Sequence, residues 1–304
     1  MKSVLHPASS AKLFAKEELN DAQRAAYKLE SIFNFRWIAQ HLGKHSSYVL
    51  TSADRASPDV RQELSQVGQF AEVAYAMADP EVIWKNLELL SRPNYPFEHY
   101  DALNDARVLC TLRGRYTDVR AMLTYRQNRK QLIVAFSGTR NYVQALIDTN
   151  AIAIAYPGYE RFIDHSKIRK PRVHAGFWRL YRGLRRKVIT ELANQLSSDS
   201  TMDIGEIVVT GHSLGGAMSQ YFVMDILDNE TCAKYLGEEG LDIPSHIIIK
   251  LVIFGSPRVG NKTFAQLYRS YVKSLREERG ADKYIEYCVK GYNDGTSHYV
   301  QVKC

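Results

Sequence analysis

The chain has no apolar run long enough to span a bilayer; its longest, such as AIAIAY at 151–156, are far too short. The N-terminal stretch MKSVLHPASSAKLFAKEELND has an early lysine but no uninterrupted apolar core of the kind a secretory signal carries, and its charges resume at once. A soluble protein that stays in the cytoplasm is therefore expected. Cysteine is scarce: Cys110, Cys232, Cys288 and Cys304 are far apart, with no CxxC pair and no Cys/His metal spacing. That fits reduced thiols better than a disulfide framework. No internal repeat and no low-complexity tract appears, which excludes a solenoid and a disordered chain. Nor does a helix-turn-helix, RRM or KH signature accompany the net charge of +7, so nucleic acid is not an expected partner.

What is present is ordinary globular material, with 45% hydrophobic and 11% aromatic residues to build a core across 304 positions. Residues 11–42 carry helix formers, with Ala25, Leu29, Ile32 and Phe33 at three- and four-residue spacing. A second helix is expected through VRQELSQVGQFAEVAYAM, and SRPNYPFEHYDALND, with two prolines, reads as a surface loop. From about residue 107 strands alternate with helices. RVLCTL, VRAMLTY, LIVAF, EIVVT, IIIKLVIFG and KYIEYCVKGY read as strands; FWRLYRGLRRKVITELANQL and AMSQYFVMDIL read as helices. That alternation predicts an α/β fold, a mainly parallel sheet with helices on both faces. Residues 1–104 are expected to be a helical extension packed on a core formed by 105–304. Much of the positive charge falls in HSKIRKPRVHAGFWRLYRGLRRK, residues 165–187, either a solvated face or a patch drawn to anionic lipid headgroups.

One serine stands where a strand should turn abruptly into a helix. Ile207 to Thr210 is a β-rich run, Leu214, Met218, Phe222 and Ile226 recur every four residues, and between them lies Gly211-His212-Ser213-Leu214-Gly215. A turn this sharp forces the serine into a strained conformation and brings the flanking segments too close for a Cβ, which accounts for both glycines. Ser213 would sit at a helix N-terminus, where unpaired N–H groups favour negative charge, and the Leu214 N–H is the natural first donor to an oxyanion. The alternative is a turn serine serving only as helix N-cap.

Four motifs, LIVAFSGTRNYVQALID, RVHAGFW, IVVTGHSLGGAMSQ and FGSPRVGN, occur in order and at the rough spacing of the class 3 (fungal-type) lipase family of α/β-hydrolases, which the chain resembles over about residues 105–298. The resemblance implies a serine carboxylic-ester hydrolase acting on acylglycerols or related lipid esters, in peripheral contact with a lipid surface, with no metal or organic cofactor. It makes Thr139 the second oxyanion donor. It makes NYVQALID a lid, with Tyr142, Val143, Leu146 and Ile147 as its apolar contacts. His174 becomes structural, and His212 points away from Ser213 into a buried hydrogen bond. The acid should end a late strand, which selects Asp294 after KYIEYCVKGY, with Asp282, in an expected insertion around KSLREERGADK, as the weaker candidate. The base should follow the acid, and the only histidine that does is His298, close behind Asp294. It is nominated by order alone, since in the family the base lies several dozen residues beyond the acid. The chain ends inside what reads as a strand, so the expected fold lacks the family's last strand and helix, and a sequence that stops early is one explanation. A rival reading is a catalytically silent lipase-like module that binds lipid or protein.

Overall fold

A computed structural model describes residues 56–76, 78–115, 119–138, 153–157, 170–197, 202–237 and 240–289. The helix expected over 11–42 and the NYVQALID segment lie outside these residues. In chain order the elements are α1 (Pro58–Tyr75), α2 (Pro80–Lys85), α3 (Leu87–Leu90), β1 (Ala106–Arg113), β2 (Arg120–Arg126), β3 (Gln131–Phe136), β4 (Ala153–Ala155) and β5 (Arg172–His174). There follow α4 (Ala175–Leu196), β6 (Glu206–His212), α5 (Leu214–Ile226), α6 (Asn229–Leu236), β7 (Ile248–Phe254), α7 (Lys262–Arg279) and β8 (Tyr284–Val289).

Six strands form one sheet in the order β1-β2-β3-β6-β7-β8. β1, β2 and β3 pair antiparallel, and β3, β6, β7 and β8 pair parallel. The parallel strands have to be apolar on both sides, because both faces of the sheet are covered. In β3, Ile133 and Ala135 face a cluster with Val67, Phe70 and Val73 of α1, while Leu132, Val134 and Phe136 join the cluster built on α4 and α5. This is the mainly parallel sheet with helices on both faces that the alternation of strands and helices predicts.

α1 starts where the sequence places its signals: Ser57 accepts a hydrogen bond from the Val60 N–H, and Pro58 occupies the first turn, where no N–H is needed. Polar contacts then fix its position on the sheet. Lys250 of β7 pairs with Glu63 of α1 and, at 2.6 Å, with Glu206 of β6, while Arg126 of β2 donates to Gln66 of α1 at 3.3 Å and to Gln131 of β3 at 3.1 Å. Burial works against the Lys250 ammonium, and hydrogen bonds to Glu206 and Glu63 outweigh it, so its pKa lies above the ordinary lysine value.

On the other face the main polar tie is between α4 and α5. Asp225, fully buried, receives both arms of the Arg185 guanidinium at 2.6 Å each and the hydroxyl of Tyr181. Burial opposes the arginine charge, and the carboxylate more than offsets it, holding its pKa above the usual value. Arg185 also stacks over Trp178 of its own helix, 5.1 Å from the ring centre, and Trp178 in turn meets Tyr221 of α5 edge to face at 5.2 Å, so α4 is held to α5 by charge and by packing together.

The segment around KSLREERGADK, expected as an insertion, forms the second half of α7, the crossover helix between β7 and β8, followed by a 3-10 turn at Ala281–Lys283. One expectation of the fold needs correction. Within the segment read as a surface loop, Ala102 and Leu103 are buried, because Gln69 of α1 accepts the Ala102 N–H at 3.0 Å and draws the turn inward. Among the described residues no helix is long and apolar enough to cross a membrane. Among the described residues Cys110, Cys232 and Cys288 are in no disulfide, and burial pushes the thiol pKa of both Cys110 and Cys232 up to about 12.

Candidate active site

β6 ends at His212 and α5 begins at Leu214, leaving one residue to turn the chain. Ser213 does so at φ 56, ψ −121, a left-handed conformation that costs a residue with a Cβ about 1–3 kcal/mol. Its N–H donates to the Phe254 carbonyl at 2.9 Å and its own carbonyl accepts from Ala217 at 3.3 Å, so both flanks hold the strained residue. The turn is tight enough that a Cβ on Gly211 would strike the Gly215 backbone, and one on Gly215 would strike the Phe136 carbonyl. The glycine pattern thus has the steric origin expected of it. The Ser213 hydroxyl caps no N–H of α5, which removes the reading of this serine as a simple N-cap. The residue is 9% exposed, at a helix N-terminus whose first N–H belongs to Leu214.

The end of β3 lies directly beside this turn. Phe136 pairs with Gly211, so Ser137 and Gly138 continue alongside His212 and Ser213. The Ser137 backbone is tied to Arg120: its N–H donates to the Arg120 carbonyl at 2.9 Å, and its hydroxyl accepts the Arg120 N–H at 2.7 Å. The Arg120 guanidinium in turn donates to the carbonyls of Ala76 and, at 3.2 Å, of Ala78, which anchors the end of α1. That end carries Tyr75, whose ring fills the space over Gly138 and meets His212 edge to face at 5.9 Å between centres. Sequence reasoning did not find Tyr75 or Arg120. The nearest signal was the apolar end of α1, AEVAYAM, on an otherwise charged helix. Thr139, the next residue after Gly138, lies outside the described residues.

Two histidines are settled by their surroundings. His174 accepts the Phe177 N–H through Nδ1 at 3.3 Å, capping α4, and stacks on the Phe177 ring at 3.9 Å; partial burial lowers its pKa. His212 does not make the buried hydrogen bond expected of it, because it is exposed against Tyr75. Among the described residues no histidine hydrogen-bonds to Ser213.

His212, Phe254 and Val289 stand in one row across β6, β7 and β8, and the Gly255 N–H donates to the Val289 carbonyl at 2.9 Å. Strands spaced about 4.8 Å apart put the end of β8 roughly 10 Å from the end of β6. Asp294 and His298 follow that end in sequence but lie outside the described residues. Asp282 is excluded as the acid: it precedes β8, at the opposite end of the parallel strands from Ser213. No group of three or more His, Cys, Asp or Glu among the described residues is placed to hold a metal ion.

Residues 133–282 match the family model described as lipase (class 3). The chain is 28% identical over 166 residues to a lipase of Rhizopus niveus, covering 55% of this chain and 36% of that protein. It is 25% identical over 160 residues to phospholipase A1-II 3 of Oryza sativa subsp. indica, covering 47% and 34%. The matched segment thus spans little more than a third of either relative. Among solved structures, a triacylglycerol lipase whose catalytic centre is formed by a serine-protease triad superposes with a TM-score of 0.54 at 23% identity, over 77% of this chain and 72% of that one. At that identity the likeness shows the fold alone.

Proposed function

We propose that the chain, whose residues 133–282 match the class 3 lipase model, is a lipase of that family and hydrolyses lipid esters through Ser213. The observation that carries this reading is the strained, uncapped serine at the β6–α5 turn, with the end of β3 packed against it. Relatives with lipase and phospholipase A1 names support acylglycerols or related lipid esters as the substrate class.

In this mechanism the Ser213 oxygen attacks the ester carbonyl carbon while its proton passes to the imidazole of His298, oriented by Asp294. The carbonyl oxygen takes up the negative charge and is held by the backbone N–H groups of Leu214 and Thr139. Collapse of the tetrahedral adduct breaks the ester C–O bond, and the leaving alcohol takes the proton back from the imidazolium. Water then repeats the attack on the acyl-serine, releasing the fatty acid and restoring the hydroxyl.

The test is ester turnover. Ser213→Ala is expected to lower kcat on a p-nitrophenyl ester by more than about 10,000-fold. Turnover retained in that variant would refute the assignment, and unchanged turnover in His298→Ala would remove His298 as the base.

A further inference from the structure

The fold draws together two basic segments that the sequence keeps apart. Over residues 170–190 and 255–268 there is no aspartate and no glutamate. These segments are knitted side by side: the Arg172 N–H donates to the Asn261 side chain at 3.0 Å, the Asn261 N–H to the Arg172 carbonyl at 2.9 Å, and the His174 N–H to the Val259 carbonyl at 3.0 Å. Arg172, Arg179, Arg182, Arg186, Arg258 and Lys262 are all exposed along them. On α4 the arginines at 179, 182 and 186 recur at three- and four-residue spacing, one stripe about 10 Å long.

The stripe begins beside the candidate nucleophile. The loop 255–261 leaves β7 immediately after Phe254, whose carbonyl accepts the Ser213 N–H, and Gln220 of α5 donates to Ser256 at 2.8 Å. The cationic face therefore starts at the Ser213 end of the sheet and runs down the flank formed by α4. Asp225, the acidic side chain that α4 grips, is buried and taken up by Arg185.

We propose that this face docks on an anionic lipid bilayer and sets the Ser213 end of the sheet at its edge. Arginine forks suit phosphate oxygens, and each cation near an anionic membrane strengthens binding by about fivefold. A nucleic acid fits less well. The aromatic side chains of this segment, Phe177, Trp178 and Tyr181, are buried in the core and cannot serve as stacking platforms for bases. The role assigned to the docking rests on the lipid-ester reading, but the docking itself does not.

The experiment is co-sedimentation of the full chain with vesicles of phosphatidylcholine alone and with phosphatidylglycerol added. Binding is expected only to the second and is expected to weaken as salt rises. The triple variant Arg182→Gln, Arg186→Gln, Lys262→Gln should lose roughly 100-fold in affinity. Arg61→Gln, Lys85→Gln, Arg92→Gln, which removes three exposed cations from α1, α2 and the turn after α3, should bind as the wild type does. Equal binding to both vesicle types, an equal loss in both variants, or binding to a soluble polyanion with none to vesicles would overturn the proposal. Turnover of a soluble ester, measured alongside, reports on the hydrolase reading separately and shows that each variant is folded.

Discussion

The ring of Tyr75 occupies the space into which a side chain at Gly138 would project. One residue closes α1, outside the segment that matches the family model; the other precedes Thr139 on the segment expected to supply an oxyanion donor. Arg120 makes this contact stiff, because it holds the Ser137 backbone and the end of α1 at once. Gly138→Ala would drive a methyl group into the ring, displacing either the oxyanion segment or the helix end. The expected result is a loss of about 10- to 100-fold in kcat on a soluble ester, with a modest loss of stability. Adding Tyr75→Ala to Gly138→Ala should recover part of that loss. A double variant no better than the single one would mean that the ring does not set the position of this segment.

Gly215 makes a harder contact, since its Cβ would meet the Phe136 carbonyl, a backbone atom that cannot rotate away. Gly215→Ala is expected to cost more stability than Gly138→Ala and to separate the β6–α5 turn from β3. Thermal unfolding of the two variants side by side checks the order.

Removing Asp225 would leave Arg185 charged and buried with no partner, and the expected cost is about 3–5 kcal/mol. Tyr181→Phe, which removes one of the hydrogen bonds to the same carboxylate, should cost less, about 1–3 kcal/mol. Urea unfolding measures both. Equal, small effects would show that the α4–α5 contact depends on packing alone.

His174 couples stability to pH. Its ring must be neutral to accept the Phe177 N–H, and burial lowers its pKa from the usual 6.5. The unfolded chain therefore binds this proton more readily than the folded one, and stability rises with pH across the window. The contribution is complete above about pH 6.5 and is lost as pH falls from there through the lowered folded value. His174→Asn keeps a neutral cap and should flatten the dependence of the melting temperature on pH between about 5 and 7. An unchanged slope would assign the dependence to other groups.

The parts of this molecule legible in the sequence are those in which local pattern and tertiary role agree. Ile207 to Thr210 is apolar because β6 is buried on both sides, and the Gly211 and Gly215 pair marks a turn whose crowding leaves no other residue type. α7 escaped notice although Phe264, Tyr268 and Val272 lie at four-residue spacing between an Asn261 cap and Gly280, because the segment stands out by its length against the family's spacing and not by its helical period. Asp282 had the right place in chain order, and only the parallel direction of β8 puts it at the wrong end of the sheet. His212 could not be read from its neighbours, since its ring packs on Tyr75, 137 positions earlier. Long-range contacts of that kind leave no periodic trace in a single sequence.

The central claim is that Ser213 is the nucleophile, and covalent capture tests it most directly. The full chain is treated with a fluorophosphonate, digested, and the modified peptide located by mass spectrometry. One phosphonyl adduct on Ser213, absent from Ser213→Ala and formed together with loss of ester turnover, is the predicted result. A chain that hydrolyses esters while Ser213 remains unmodified, or that carries the adduct on another residue, would contradict the account.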